Sequence, residues 1–448
     1  MSGGQKPHVK IGLWDYVDDV PPPFGRPMHE FWSFEPRFIN LNHGAFGAPP
    51  TPVQRSANVI ADLVEESPDK FFRLDMVPLL ASVRERLAAF IGAQKEEVVL
   101  VPNATSAAGI VLRNFDWKAG DVLVGASTTY GNVAKTIMHL KDTNPDLTVA
   151  PFGLQFPVSN AEIIDAFRAH LHSIPRVAAS AANPDPKIVC VVDSIVSNPG
   201  IYMPWKEMVK ICKEEGVWSV VDAAHSIGQE PGLNMAEVQP DFWFSNCHKW
   251  LYAKRSSAVL YVPRRNQHII KSAFPTSHLY ASPGQPLPAD WIQRDANGDE
   301  WAAQFSWTGT LDLAPYLSID AALDFRKWLG GEEVINSYCR DLALQGGKRV
   351  AEIMGTRLMD ESEGNVQTLN MVNVELPLNV PSDKAAYVTE VLTKRLLLDH
   401  KAYAAHFLHN GKFWTRLSAQ LYNELADFEK MAEAFVVVCK EIEEALRT

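Results

Sequence analysis

The chain has 448 residues, 46% of them hydrophobic, enough to bury a sizeable core and form two lobes. Its formal net charge is −11 with acidic and basic residues intermixed, which disfavours nucleic acid and anionic membrane as partners. No apolar run reaches membrane-spanning length and the opening MSGGQKPHVK has no apolar signal core, so a cytoplasmic protein is expected. Cys190, Cys212, Cys247, Cys339 and Cys439 lie without CxxC pairing and read as free thiols, with no metal expected.

Residues 1–34, with Pro21-Pro22-Pro23, read as an irregular arm. Ser56 to Glu65 and Val77 to Ile91 carry the spacing of amphipathic helices. A strand–helix alternation begins at Glu97. Val98 to Val101 is a strand, followed by Pro102-Asn103 and a helix from Thr105. Val122 to Val124 is the next strand, with a helix near Val133. Ile188 to Val192 follows, then a helix over Trp205 to Glu215. Three more strands end the series: Val217 to Val221, Phe242 to Phe244, and Ala258 to Val262. Such alternation predicts an α/β fold, a mostly parallel sheet with helices on both faces.

Ala178 to Pro186 reads as a surface loop. Phe274 to Gln304, rich in Pro, Gly and polar residues, reads as a long loop over the site. A helix near Ala314 to Leu329 leads to the second lobe. There, strands Met371 to Glu375 and Trp414 to Ser418 mix with helices Lys384 to Leu396 and Asp427 to Leu446. The division is an arm (1–34), a large domain (35–325) and a small one (326–448).

Two strand ends carry the chemistry. The strand at Val217 ends in Asp222, and the strand at Phe242 runs into Asn246-Cys247-His248-Lys249. An acid and a lysine at the ends of neighbouring buried strands meet on one sheet edge, where open α/β sheets bind ligands. A buried Lys can lose its proton and act as an amine nucleophile. Pyridoxal 5'-phosphate (PLP) needs both a lysine for its Schiff base and an acid on its pyridinium nitrogen.

Other candidates gather around this pair. Asn103-Ala104-Thr105-Ser106 opens a helix after a strand, as a phosphate cradle does, though an ordinary N-cap uses the same residues. Tyr130 could stack on a flat cofactor or simply pack. His225, three residues after Asp222, could donate to a phenolic oxygen. Asn198, in VSNPG, is either a cofactor contact or a turn residue before Pro199. Arg416 suits bidentate capture of a carboxylate, and a structural ion pair is the alternative.

These segments together resemble the class V aminotransferases, which are fold-type-I PLP enzymes. The resemblance covers about residues 35–440. It rests on NHGAFG, PNATSA, STTYGN, VSNPG, VVDAAHSIGQ, SNCHKW, FSWTGTLD and RLSAQLYN, in that order. It implies a large domain with a seven-stranded, mostly parallel sheet and a smaller α+β C-terminal domain. It also implies Lys249 as the Schiff-base lysine, Asp222 on the pyridine nitrogen and His225 near the phenolic oxygen. Thr105 and His248 then hold the phosphate, Tyr130 stacks on the ring, and Arg416 takes the substrate carboxylate. Asn42 and His43 fall among the residues that shape the pocket. Gly309-Thr310 matches the pair that reaches the neighbouring subunit's phosphate, which implies a homodimer.

Within the family, SNCHKW, RLSAQLYN and WTGT resemble the branch of isopenicillin N epimerase and hercynylcysteine sulfoxide lyase. That branch implies an α-amino acid substrate, Cα deprotonation and a quinonoid. The expected reaction is that of a carbon–sulfur or other Cβ/Cγ–X lyase. The alternatives are an amino-acid cyclase of the loline-assembly type and an epimerase, with a simple transaminase behind them. DHKAYAAHFLHNGKFWTR, the stretch read as a loop before Arg416, holds no cysteine. A persulfide relay of the desulfurase kind is therefore not expected. A nicotinamide enzyme of similar pattern would carry GxGxxG after an early strand, and none is found.

Overall fold

Seven short apolar runs pair into one sheet: Val98–Val101 (β1), Val122–Val124 (β2), Thr148–Val149 (β3), Ile188–Asp193 (β4), Trp218–Asp222 (β5), Phe242–Asn246 (β6) and Ala258–Tyr261 (β7). Their order is β1-β7-β6-β5-β4-β2-β3, and β7 alone runs antiparallel to its neighbours. The computed structural model describes residues 19–276, 280, 282, 285 and 300–447.

β1, β2, β4, β6 and β7 are buried at every residue, because both faces of the sheet are covered. Alternation along each strand divides the two faces. Val98, Leu100, Val192, Val221 and Trp243 share a core with Thr51–Glu66 (α1) and Met76–Ile91 (α2). Val99, Leu123, Val191, Val220 and Phe244 pack instead with Ala104–Asn114 (α3) and Gly131–Thr143 (α4).

Three further helices belong to the first core: Asn160–Ser173 (α5), Trp205–Glu214 (α6) and Ala314–Trp328 (α7). In α6 the buried residues Trp205, Met208, Val209 and Cys212 recur at helical spacing and form its inner face.

The C-terminal lobe has its own core. Glu332–Met354 (α8), Ala385–Leu398 (α9) and Leu425–Arg447 (α10) cover an antiparallel sheet. Its strands are Met371–Glu375 (β8), Ala405–His409 (β9) and Lys412–Ser418 (β10), in the order β9-β10-β8. Val372, Val374, Leu392, Phe413, Leu417 and Phe428 pack at its centre.

The structure differs from the sequence reading in places. The stretch before Arg416 is a hairpin, β9–β10, preceded by Ala402–Tyr403, which pairs in parallel with Ile39–Asn40. The arm is not wholly irregular: Arg26–Phe31 forms a 3-10 helix, and Phe31 and Trp32 pack on Phe325 of α7. Residues 1–18 lie outside the described residues. So does most of the Phe274 to Gln304 stretch, whose end, Glu300–Ser306, is helical. Among the described residues no helix is long and apolar enough to cross a membrane, and no cluster of side chains could hold a metal.

Candidate active site

The C-terminal ends of the central strands open into a cavity of about 250 Å³. Asp193 ends β4, Asp222 ends β5, and Asn246 ends β6 ahead of His248 and Lys249. Ala104 and Thr105 arrive at the start of α3, and Tyr130 arrives just before α4. All of these residues, with His225, lie on the cavity wall. A larger cleft, about 510 Å³, lies at the other end of the strands beside Trp218 and Asp241 and carries no such set of groups.

Lys249 is the amine on this wall. Its Nζ stands 3.2 Å from His225 Nε2. Burial, reinforced by Arg416, lowers its pKa to about 7, against the pull of Asp222. A substantial share of the amine is therefore unprotonated at neutral pH. Burial holds His225 well below its usual range, and the charges of Lys249, Arg416 and His248 push the same way. The imidazole is neutral.

Asp222 has a neighbour that the sequence reading passed over. Asp193 is its register partner on the adjacent parallel strand. Both are buried, so two carboxylates face one small space. Burial, then Asp222, pushes Asp193 up to about 8, although the Thr129 hydroxyl donates to its Oδ2 at 2.9 Å. Burial raises Asp222 to about 6, opposed by the Ala224 N–H, which donates to its Oδ1 at 3.0 Å, and by Lys249. Like charges this close separate into one anion and one acid. Both carboxyls are held above the usual carboxylate range, Asp193 the more strongly, so of the two Asp222 is the one that ionises first.

The opposite wall suits an anion. Asn103 caps α3 by accepting from the Ser106 N–H at 2.8 Å, and Thr105 is exposed beside it. The Ala104 N–H is already donated to Asn246 Oδ1 at 2.9 Å. Ala104 therefore shapes the cradle without offering a free donor. His248 donates Nδ1–H to the Ser257 carbonyl at 2.9 Å, which leaves Nε2 for the cavity; burial lowers its pKa to about 4.

Not every candidate meets at this wall. His43 is buried behind it, and both ring nitrogens are occupied. Nε2 donates to the Lys249 carbonyl at 2.9 Å and Nδ1 accepts from the Tyr422 hydroxyl at 3.1 Å. It braces the lysine's backbone and does not line the pocket. Gly47, four residues on, has positive φ, and a Cβ there would lie 1.7 Å from the His248 carbonyl oxygen. Only glycine lets this turn abut the lysine segment.

Arg416, on β10, lies just beyond the wall. It donates to the Ser197 carbonyl at 2.6 Å and to Asn42 Oδ1 at 3.0 Å. Its Nε is buried without a partner, and burial lowers its pKa to about 10. No carboxylate pairs with it among the described salt bridges, which fits an open position for an anionic group. Asn198 is exposed, and the neighbouring Ser197 lines the cavity in its place. Thr310 is exposed and also away from this wall. Ser197, Phe46 and Asn246 are further wall residues that sequence reasoning did not single out.

Residues 73–430 match the family Aminotransferase class-V. The chain belongs to the class-V aminotransferase family. Its cofactor is PLP, and it is an enzyme acting on an amino acid. The donor set fits that cofactor: an unprotonated amine, an anionic carboxylate and a helix N-terminus on three sides of one cavity.

Members similar to this chain include the L-cysteine desulfhydrase-like protein lolT1 of Epichloe uncinata. It is 33% identical over 447 residues, covering 94% of this chain and 97% of lolT1. The hercynylcysteine sulfoxide lyase of Schizosaccharomyces pombe is 29% identical, covering 93% and 98%. The fold is that of C-DES, solved as a mutant with glycine covalently linked to its PLP cofactor. The TM-score is 0.71 at 14% identity, covering 90% of this chain and 97% of that one.

Proposed function

We propose that this class-V enzyme is a lyase that cleaves a carbon–sulfur bond, or another bond to Cβ or Cγ, in a cysteine-derived α-amino acid. The observation that carries the reading is the depressed Lys249 amine, 3.2 Å from a neutral His225, in one cavity with the Asp193–Asp222 pair. The names of the relatives, a desulfhydrase-like protein and a sulfoxide lyase, support the choice of bond.

PLP, when bound, supplies an electron sink conjugated with the substrate's Cα. The chain's residues do the rest. Lys249 provides the amine that holds the cofactor and, once displaced by substrate, takes the Cα proton on Nζ. Asp222 is the anion for the ring nitrogen. Thr105 would hold the phosphate, and His248 would join it only by taking a proton on Nε2 as the phosphate's charge arrives, since its Nδ1–H is spent on the Ser257 carbonyl. Tyr130 would stack at the mouth, and His225 Nε2 would face the phenolic oxygen. Arg416 grips the carboxylate, its fork preset by Ser197 and Asn42, and so fixes which Cα bond is broken. All five cysteines are buried, and burial pushes the Cys247 thiol up, so no persulfide is relayed through a mobile thiol.

The working unit in this reading is a cytoplasmic homodimer, with half-buried Gly309 and exposed Thr310 reaching the other subunit's phosphate. Residues 35–325 form its cofactor domain and 326–448 the small one. The test is mass spectrometry of products from thioether, sulfoxide and O-acyl amino acids. Keto acid with ammonia supports the lyase. A cyclic amino acid, or inversion at Cα with every substituent retained, overturns it in favour of a cyclase or an epimerase.

A further inference from the structure

Trp250 directly follows the lysine and is fully buried, yet its indole nitrogen is not spent on the core. Nε1 lies 3.3 Å from His225 Nδ1. The ring is pinned on every side. Ile195 and Met371 pack on it, the His43 ring centroid is 5.3 Å away, and a Cβ at Gly44 would lie 3.2 Å from its Cζ2. Its backbone is fixed too. The carbonyl accepts from Arg326 Nη1 at 2.7 Å, and a Cβ at Gly228 would lie 2.6 Å from that carbonyl.

An indole N–H can only donate. His225 Nδ1 must therefore accept, and in a neutral imidazole the proton then sits on Nε2. Nε2 is the atom 3.2 Å from Lys249 Nζ. Two donors cannot share that contact, so the lysine nitrogen accepts with its lone pair. We propose that Trp250 is a positioning residue: by donating to His225 Nδ1 it fixes the Nε2–H tautomer, and this keeps Lys249 as the free amine that captures the cofactor's aldehyde. In that capture the Nζ lone pair would attack the aldehyde carbon, and the two Nζ protons would leave with the aldehyde oxygen as water. The inference rests on the cofactor reading above and goes beyond it, because it names what sets the protonation of the two groups.

The other ionisable and charged groups around the contact do not replace this control. Asp222 on β5 favours the ammonium form of Lys249, while Arg416 on β10 opposes it. His248 and Arg416 both disfavour a charged His225. Asp193 on β4 carries its own proton at neutral pH. None of these four bonds to Nδ1, whose partner is Trp250.

The test uses the full chain, first freed of PLP and then reloaded, as wild type and as Trp250→Phe. Phe keeps an aromatic ring and removes the N–H. Nitrogen-15 NMR of histidine-labelled wild type, with His225 assigned by its loss in His225→Asn, should show Nε2 protonated and Nδ1 bare. In Trp250→Phe the ring can reverse and offer a bare Nε2 to an ammonium Lys249. The rate of PLP capture, read as the rise of yellow absorbance, should then need a higher pH by about one unit.

Wild-type His225 with its proton on Nδ1 overturns the inference, even if the variant fails to fold. An unmoved pH–rate profile in a folded variant overturns it as well. PLP found on another lysine would sink the assigned role of Lys249, while the His225 resonance still reports on the tautomer.

Discussion

Replacing Asp193 by Asn tests the carboxylate pair directly. Asn keeps the shape and remains neutral at every pH. In the wild type the folded-state pKa of Asp193 is raised to about 8, whereas an unfolded Asp titrates near 3.9. The folded protein therefore keeps a proton that the unfolded chain has lost. The stability from this proton is complete below the unfolded value and is lost as pH rises through about 8. One proton corresponds to about 1.4 kcal/mol per pH unit, so from pH 6 to pH 8 the wild type should lose roughly 2 kcal/mol relative to Asp193→Asn. Urea unfolding of the cofactor-free protein at pH 6, 7 and 8 measures the difference. Parallel stability curves for the two proteins would refute a protonated Asp193.

Borohydride reduction of the yellow enzyme and peptide mapping should place the pyridoxyl group on Lys249; finding it on Lys254 would displace the assigned lysine. Arg416→Lys keeps the charge but loses the fork, so kcat/KM should fall on the order of tenfold to a hundredfold, with KM raised. A variant with unchanged KM would remove Arg416 from the carboxylate site. Mixing inactive Lys249→Ala with a severely impaired Thr310→Ala under subunit exchange should restore part of the activity through hybrid dimers, and full activity from a dilute monomer would contradict a shared site.

Asp222 and Lys249 were legible because each is a charged group at the end of an apolar run, where a sheet presents its edge. Asp193 carries the same signal in IVCVVD, but the turn motif VSNPG just beyond it is the stronger local pattern. His43 is a pocket residue by the resemblance alone, since NHGAFG is one of its marker segments. Tertiary packing turns it to the back of the lysine, which no local pattern encodes. Trp250 reads as ordinary core, since its indole bond to His225 exists only after the chain folds.

Helix α8 is not legible in the sequence, for a physical reason. Gly346-Gly347 looks like a breaker, but Cβ atoms there would lie 2.3 Å from Phe428 and 2.5 Å from Val372. The glycines let α8 pack close to α10 and β8, and that packing overrides their low helix propensity. α5 carries a capping box, Ser159 with Glu162, that was legible locally but was not read as opening a helix.

The segment from Ile39 to Gly47 ties the two lobes together at the reacting centre. It begins hydrogen-bonded beside Ala402–Tyr403 of the small lobe, and Asn42 holds the Arg416 fork. His43 then takes the Lys249 carbonyl, and Gly47 closes against His248. Asn42 takes one guanidinium nitrogen of Arg416 and leaves the buried Nε without a partner. The strap that meets the guanidinium at one end is anchored to the lysine's own peptide at the other. One short stretch of backbone therefore sets the position of both the Arg416 guanidinium and the Lys249 peptide, so the register between the two lobes and the placement of the amine share a single determinant.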